Sequence, residues 1–305
     1  MKIATTIGEL YSLGLSIAET IRAYKGTGFR NLDYSFYYAH TDKNSPYMQE
    51  SDRAWKKEIE EAISAAGECG FKFVQSHTPG YNPGGKESGN YDQCIRAMQR
   101  SVEACAMLGI PVTVMHTSFS PEYTYPADWK GYFEYNRHFV GDVLKTAEKY
   151  NITVCIENTS NGNAGSRYFP RRACEMNDFI AFMDHPLLGA CWDTGHAAMD
   201  QIFDQYNELK ELGKNLKAIH VHDNGIHSDQ HLAPYCGKLQ LDSVVKALID
   251  INYKGSFTFE SDAFLNFSNG DGPLRQLPLE IRRDGLALLY KIGKFALETY
   301  NIFEE

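Results

Sequence analysis

Short runs of β-branched and aromatic residues alternate with longer amphipathic segments along the whole chain. Period-two apolar runs indicate strands, and apolar positions three or four residues apart indicate helices. Eight segments are predicted as strands: residues 2–5, 29–34, 71–77, 112–116, 153–157, 188–193, 216–222 and 256–260. Each precedes a predicted helix, and these cover residues 16–25, 52–66, 94–108, 132–150, 178–183, 203–212, 242–251 and 279–299.

This alternation predicts a parallel sheet, because parallel neighbours need a crossover connection that is usually a helix. Eight strand–helix units in 305 residues indicate an α/β protein with one domain, a closed (β/α)8 TIM barrel over residues 1–305. A doubly wound open sheet is the alternative, and it normally carries a glycine-rich phosphate turn after its first strand. Residues 7–14, IGELYSLG, do not match G-x-G-x-x-G, which favours the barrel.

Six consecutive predicted strands end on residues that are typical metal ligands. In chain order these are His77, His116, Glu157, Asp193 with the nearby His196, His220 with His222, and Glu260. The carboxyl ends of barrel strands meet at one mouth, where active sites are built. Because charged groups that converge there are costly to bury without a partner, the pattern predicts a divalent cation, which accepts both carboxylates and neutral imidazoles.

The two histidines of the seventh strand lie on one face of it, because the strand period is two residues. The later one is nearer the mouth, so we expect His222 to be a ligand and His220 to be a neighbouring or core group. The loop that follows carries Asp229 and His231, two positions apart. This spacing alone is typical of a solvated loop, but beside the other ligands it makes both residues candidates for holding a further cation.

Charge and composition restrict the expected partners. With 30 Lys and Arg against 39 Asp and Glu, the net charge of −9 disfavours nucleic acid, whose binding relies on neutralising phosphates. No apolar run approaches the roughly 18 residues that span a bilayer, and the N-terminal residues lack a signal-peptide core. The seven cysteines are scattered without a C-x-x-C pair, which is typical of reduced thiols. We therefore expect a cytoplasmic protein with no membrane partner.

Four motifs resemble the xylose isomerase-like TIM barrels, a superfamily of sugar isomerases, ketose 3-epimerases, inosose dehydratases and apurinic-site nucleases of the endonuclease IV type. They are Ile156-Glu157-Asn158, Trp192-Asp193-Thr194-Gly195-His196, His220-Val221-His222-Asp223-Asn224 and Phe259-Glu260-Ser261. In the epimerase branch such motifs hold one manganese-type cation. The resemblance implies four metal ligands here, Glu157, Asp193, His222 and Glu260, and it implies that His196 contacts the substrate.

This resemblance implies a metal-dependent isomerase or epimerase acting on a sugar or sugar phosphate. The cation would polarise a carbonyl and stabilise the enediolate, and Glu157 and Glu260 would be the catalytic acid and base. Zinc suits the histidines and manganese suits the carboxylates, so we expect one of these metals, with room for more than one ion. Ketohexose epimerases also carry a sugar-binding Glu and Arg, which residues 158–165 and 223–230 lack, so the familiar ketohexoses are not the expected substrates.

Two other activities belong to the same superfamily. An endonuclease IV-like multi-zinc phosphodiesterase would use additional ligands, for which the candidates are His77, His116, His196, Asp229 and His231. It needs a basic surface around the mouth, but the basic pairs 56–57, 171–172 and 282–283 fall in different strand–helix units. An inosose-dehydratase-like lyase would use the same enolate chemistry, and a non-catalytic sugar-binding barrel would show no turnover to lose on metal removal.

Further residues are candidates for contacting the substrate or a partner. Tyr34 and Phe36 belong to the aromatic run 34–38 after the second strand, and Trp129 follows the fourth. We expect this run and Trp129 to line the pocket; a stabilising cover would give the same pattern. Arg167, Arg171 and Arg172 and the loops 82–89 and 161–172 suit either a substrate phosphate or a solvated surface. The amphipathic segment 279–300 is compatible with closing the barrel and with a homo-oligomer.

Overall fold

A computed structural model has the eight strands closed into one parallel barrel, with consecutive strands as neighbours and β1 paired with β8. The structure describes residues 1–40, 45–80, 91–118, 120, 122–123, 125–160, 169–225, 228–262 and 277–305. The strands are β1 (Ile3–Thr6), β2 (Asn31–Ser35), β3 (Lys72–His77), β4 (Val112–Met115), β5 (Thr153–Glu157), β6 (Leu188–Asp193), β7 (Leu216–Val221) and β8 (Phe257–Phe259). The predicted (β/α)8 barrel is confirmed, and each predicted strand overlaps an observed one.

Helices connect the strands on the outside of the barrel. The α-helices within the described residues are α1 (Ile17–Ala23), α2 (Arg53–Cys69), α3 (Tyr91–Leu108), α4 (Trp129–Tyr150), α5 (Ala173–Met183), α6 (Thr194–Met199), α7 (Tyr206–Leu212), α8 (Leu241–Asp250) and α9 (Leu279–Glu298). Short 3-10 helices cover Ile7–Leu13, Tyr37–His40, Pro46–Met48 and Gly213–Asn215. Helix α6 was not predicted, because its six residues are too few to show a helical period.

Local signals in the sequence set the ends of several helices. Ser16 caps α1 by accepting a hydrogen bond from the Glu19 amide, while the Glu19 carboxylate accepts one from the Ser16 amide. Gly70 ends α2 in the left-handed conformation at φ 73°, which glycine adopts without strain. These caps fix where the chain leaves each helix and turns into the next strand.

Two apolar layers hold the barrel together. Between the strands and the outer helices lies an extensive core that includes the fully buried rings of Trp55 and Trp192. A smaller cluster is formed by Val114, Cys155, Cys191 and Ala218, which come from four neighbouring strands. Because Glu157 and Asp193 lie two positions beyond Cys155 and Cys191, they point to the same face of the sheet, nearer the carboxyl ends of the strands. The packed cluster therefore forms the floor on which the polar residues stand.

No helix among the described residues is both long enough and apolar enough to cross a membrane.

Candidate metal and proton-transfer site

The polar residues predicted at the strand ends converge at the carboxyl end of the barrel. Their ligand atoms fall into neighbouring groups, within each of which all ligand atoms lie within 4.8 Å of one another. One group contains Glu157, Asp193, His220 and Glu260; a second contains His77, His116 and Glu157; a third contains His196, His222, Asp229 and His231. We call these the Glu157–Glu260 group, the His77–His116 group and the His196–His231 group.

Glu157, the last residue of β5, is the centre of the first two groups. Its Oε1 lies 2.6 Å from Nδ1 of His220, and its Oε2 lies 3.2 Å from Nε2 of His77 and 3.4 Å from Nε2 of His116. Burial alone would raise the pKa of Glu157, but His220 and His116 hold that pKa well below its ordinary value. Glu157 is therefore an ionised carboxylate surrounded by imidazoles.

Glu260 directly follows β8 and shares His220 with Glu157. Its Oε2 lies 3.2 Å from Nδ1 of His220, the same nitrogen that contacts Glu157. Burial raises the pKa of Glu260 to about 8, with His220 opposing the rise and Glu157 adding to it. The surroundings of the two carboxylates therefore differ: imidazoles favour the charged form of Glu157, whereas burial and the nearby Glu157 favour the neutral form of Glu260.

Asp193 links the Glu157–Glu260 group to the His196–His231 group. Its Oδ1 accepts a hydrogen bond of 2.6 Å from the amide of His196 and so caps helix α6, while its Oδ2 lies 2.9 Å from Nε2 of His222. A side chain at Gly195 would collide with the ring of His222, because its Cβ would lie 2.1 Å from Nδ1. The Asp-Thr-Gly-His sequence therefore starts a helix and leaves room for an imidazole at the same point.

The His196–His231 group is built around the carboxylate of Asp229. Asp229 Oδ2 lies 3.2 Å from Nε2 of His196 and 3.2 Å from Nε2 of His231, and the rings of His222 and His231 stack with centroids 4.0 Å apart. Burial lowers the pKa of His196, but Asp193 and Asp229 outweigh that effect and raise the pKa to about 10. Without a cation, protons balance the carboxylates of this group.

The chemistry of the donors fits divalent cations. Nδ1 of His116 and Nδ1 of His222 are buried and have no hydrogen-bond partner among the described residues, which is costly for a polar atom unless it has another role. Three acidic side chains and one imidazole form the Glu157–Glu260 group, a donor set suited to manganese or zinc. The three imidazoles and one carboxylate of the His196–His231 group are typical zinc ligands.

The structure places the two histidines predicted at the end of the seventh strand in different ligand groups. His220, predicted as a neighbouring or core group, lies with Glu157 and Glu260, whereas His222 lies with His196 and His231. The parallel register explains the difference, because it pairs His220 with Asp193 and therefore sets His220 at the height of the carboxylates. His222 lies beyond the end of the strand, one pleat further along.

The aromatic residues predicted to line the pocket do not lie at the ligand groups. Tyr34 faces away from the barrel interior, since the neighbouring Asp33 faces it, and its hydroxyl lies 3.3 Å from a carboxylate oxygen of Glu58 on α2. Phe36 packs against Tyr34 and Tyr47 in this outer wall. Tyr34 and Phe36 are two positions apart and pack together in this wall, so the geometry gives no support to their predicted sugar contacts.

Trp129 and the arginines also lie apart from the ligand groups. The side chain of Trp129 is 43% exposed at the start of α4 and packs edge-on against Phe133. Arg171 lies 3.5 Å from Asp200, and Arg172 pairs with Glu208. Arg167 and the loop 82–89 lie outside the described residues, as does most of the loop 161–172.

Of three further residues near the ligand groups, Tyr37 belongs to the predicted aromatic run, whereas Asp33 and Asp262 were missed in the sequence. Tyr37 packs edge-on against His77 and His116, with ring centroids 5.2 and 6.2 Å away. Asp262 Oδ1 lies 3.0 Å from Nδ1 of His231, and Asp33 lies beneath His220. In the sequence, nothing distinguishes Tyr37 from the other aromatic residues of its run. Asp33 lies inside β2, whereas the ligand candidates were sought at the ends of strands.

Comparison with known proteins agrees with this architecture. The family model of the xylose isomerase-like TIM barrel matches residues 21–284. The uncharacterised protein y4fM of Sinorhizobium fredii is 26% identical over 174 residues, which cover 55% of this chain and 52% of that protein. The chain thus matches about half the length of the curated relatives.

Solved structures show the same fold over nearly the whole chain. A D-tagatose 3-epimerase-like protein superposes with a TM-score of 0.73 at 18% identity, covering 99% of this chain and 98% of the other. D-psicose 3-epimerase from Clostridium cellulolyticum H10 gives 0.71 at 18% identity, covering 97% and 99%. Likeness at this identity shows the fold alone. Because the family model covers most of the barrel, the chain belongs to the xylose isomerase-like TIM barrel family.

Proposed function

We propose that this protein is a divalent-metal-dependent isomerase or epimerase of a sugar or sugar phosphate that works by proton transfer through an enediolate. The observation that carries the proposal is the pair of buried carboxylates, Glu157 and Glu260, which approach one imidazole nitrogen of His220 from two different strands. Two carboxylates held beside one ring by different parts of the barrel suit a reaction in which one proton leaves a carbon and another returns.

The proposed ligands of the principal cation are Glu157, Asp193, His220 and Glu260, with His220 in place of the His222 of the sequence prediction. When bound, a manganese or zinc ion would polarise the substrate carbonyl and stabilise the negative charge of the enediolate. His77, His116, His196, His222, Asp229 and His231 are proposed as ligands of additional ions.

Glu157 and Glu260 would carry the protons. Glu157 is proposed to accept the proton from the carbon next to the carbonyl, and Glu260, which approaches the same nitrogen of His220 from another strand, to supply a proton to the enediolate. Return to the opposite face of the same carbon gives an epimer, and return to the neighbouring carbon gives an aldose–ketose pair. The roles reverse for the reverse reaction.

His196 is proposed to orient a substrate hydroxyl. It lies at the start of α6, with Nδ1 2.9 Å from the carbonyl oxygen of Asn158 and Nε2 facing Asp229. That backbone contact fixes the ring, so a hydroxyl that reaches it would be held in one position. A small sugar is the proposed partner. Of the similar solved structures, one is named as a D-tagatose 3-epimerase-like protein and another as a D-psicose 3-epimerase. We also propose a cytoplasmic location, in which the seven cysteines, scattered without a C-x-x-C pair, would stay reduced.

The test combines metal analysis with a substrate panel. We expect the purified protein to contain a transition metal and to interconvert at least one ketose or aldose, free or phosphorylated, with activity lost on chelation and restored by Mn²⁺ or Zn²⁺. Glu157→Gln and Glu260→Gln are each expected to lower kcat by at least about 100-fold. Glu58→Gln is the matched control, because Glu58 is a partly buried carboxylate outside the ligand groups. Full activity of either site variant would refute the proposal.

A multi-ion phosphodiesterase is the second candidate, and the number of ligand groups is the observation that favours it. Three adjoining groups, two of which share Glu157, could hold several ions around one leaving oxygen. The same panel therefore includes an abasic duplex, for which salt-sensitive cleavage would favour this candidate. Inosose is included as well, because loss of water from it would identify a dehydratase-type lyase.

A further inference from the structure

Helix α9 carries a line of exposed apolar side chains on the outside of the barrel. Ile281, Leu288 and Phe295 are 46%, 49% and 64% exposed. They are seven positions apart, and seven residues fall only about 20° short of two helical turns. The three side chains therefore form one stripe along the helix, which we call the α9 stripe.

The side chains of the α9 stripe do not pack into the core of the barrel. The residues of α9 that pack inward are a different set, which includes Leu286, Leu289 and Leu297, exposed by 3% or less. Exposed apolar residues that occur singly are ordinary, but three that align along one helix offer a partner helix a row of apolar contacts. The stripe thus behaves as a second apolar face of the same helix.

Opposite charges flank this stripe on one side. Asp284 and Lys291 follow Ile281 and Leu288 by three positions each, so both lie on the same flank, and both are exposed. Neither forms an ion pair with any other residue that the structure describes, although Lys294 and Glu298 further along the helix pair with each other at 3.6 Å. The stripe therefore offers one unpaired acid and one unpaired base at nearly equal distances on either side of Leu288.

We propose that the α9 stripe is the two-fold interface of a homodimer, in which α9 packs antiparallel against α9 of a second copy with Leu288 at the axis. In this arrangement Leu288 meets its own counterpart and Ile281 faces Phe295 of the second copy. Asp284 then faces Lys291 of the second copy, and the symmetry forms this pair twice. A surface that complements itself in this way is what an isologous contact requires.

The charge order argues for a second copy over an unrelated partner. Acid, apolar centre and base occur in sequence, so the face is complementary to its own reversed image. The strands end at the mouth, whereas α9 lies on the outer wall, so this interface lies apart from the ligand groups. The inference does not depend on the proposed activity.

The test is the molar mass in solution of the full-length protein, measured by sedimentation or light scattering at micromolar concentration. The wild type is expected to be a dimer, and Leu288→Asp and Phe295→Asp are expected to be monomers with unchanged circular dichroism. Ile63→Asp is the matched control, since Ile63 is 43% exposed on α2, outside the stripe, and it is expected to stay dimeric. A monomeric wild type, dimeric stripe variants, or an equally dissociated control would each overturn the proposal.

A charge exchange tests the antiparallel arrangement itself. Asp284→Lys places like charges together at two points and is expected to raise the dimer dissociation constant by about tenfold, in line with exposed pairs worth up to about 1 kcal/mol each. Adding Lys291→Asp restores both pairs in reversed sense and is expected to return the dissociation constant to near the wild-type value. A double variant weaker than the single one would overturn the arrangement.

Discussion

Asp33 Oδ2 lies 3.6 Å from Nε2 of His220, while Nδ1 of the same ring faces Glu157 and Glu260. Both oxygens of Asp33 are buried and have no hydrogen bond with the described residues. A carboxylate in this position favours the imidazole tautomer with its proton on Nε2, which leaves the lone pair of Nδ1 directed at the proposed cation. The register shift in β2 next to Asp33 sets the position of this carboxylate below the ring.

Asp33→Asn is therefore expected to weaken metal binding while keeping the size of the side chain. Loss of such a supporting carboxylate commonly lowers metal affinity by about 10- to 100-fold. Competition with a chromophoric chelator measures the affinity without any assay of activity. Glu58→Gln serves as the control and is expected to bind metal as the wild type does, and equal affinities for Asp33→Asn and wild type would contradict the assigned role.

Metal removal is expected to lower the stability of the fold, because Glu157 and Asp193 are almost fully buried. A cation at about 100 times its Kd stabilises the native state by about 2.7 kcal/mol. We expect the Tm to fall by several degrees with a chelator and to recover when Mn²⁺ or Zn²⁺ is added. Glu157→Gln should remove most of that response. A wild-type Tm that changes with neither chelator nor added metal would argue against a structural contribution from the ion.

Glu9 makes the stability depend on pH in a specific direction. Burial raises the pKa of Glu9 to about 8 from its ordinary 4.5, with Arg282 opposing the rise and Asp262 adding to it. Because the folded-state pKa is the higher one, this contribution to stability is complete below pH 4.5 and is lost as the pH rises through about 8.

The variant Glu9→Gln imitates the protonated side chain and so lacks this loss. Its Tm relative to wild type is expected to increase between pH 4.5 and about 8 and to change little above that range. Thermal melting across this pH series makes the measurement, and the same substitution at the exposed Glu60 supplies the control. A Tm difference that does not vary with pH would show that Glu9 is ionised throughout.

Tyr37 is expected to affect substrate binding more than the aromatic residues predicted from the sequence. Its ring packs against His77 and His116, whereas Tyr34 lies in the outer wall and Trp129 lies on α4. Loss of one aromatic contact, worth about 0.5–1.5 kcal/mol, would raise KM roughly 2- to 10-fold in Tyr37→Ala. Tyr34→Phe and Trp129→Ala are expected to keep the wild-type KM, and a larger effect from either of them would place the sugar elsewhere.

The fold could be predicted because its repeating signal is local. Each strand has its own apolar run, and Gly70 marks a helix end in the sequence as it does in the structure. The ends of the predicted strands also indicated Glu157 and Glu260. These residues are about 100 positions apart, but the closed barrel brings the carboxyl ends of all its strands to one mouth.

Register and side-chain direction could not be predicted in the same way. The choice between His220 and His222 depends on which residue of β6 faces β7, a relationship between two strands that neither strand encodes alone. Tyr34 shows the same limit, because shifting the alternation by one residue moves a ring from the mouth to the wall. Asp33 lies inside its strand, and its role in orienting a ligand follows only from its contact with His220 on another strand.

The carboxylate of Asp193 contacts two ligand groups and also caps the helix that carries His196. Two ions bound on either side of it would share one donor, so the occupancy of one position would alter the free energy of filling the other. Metal titrations of the intact protein are then expected to follow a linked isotherm in place of a sum of independent sites. In Asp193→Asn, the helix cap would be retained through the amide oxygen while the thermodynamic linkage between the ions would be weakened.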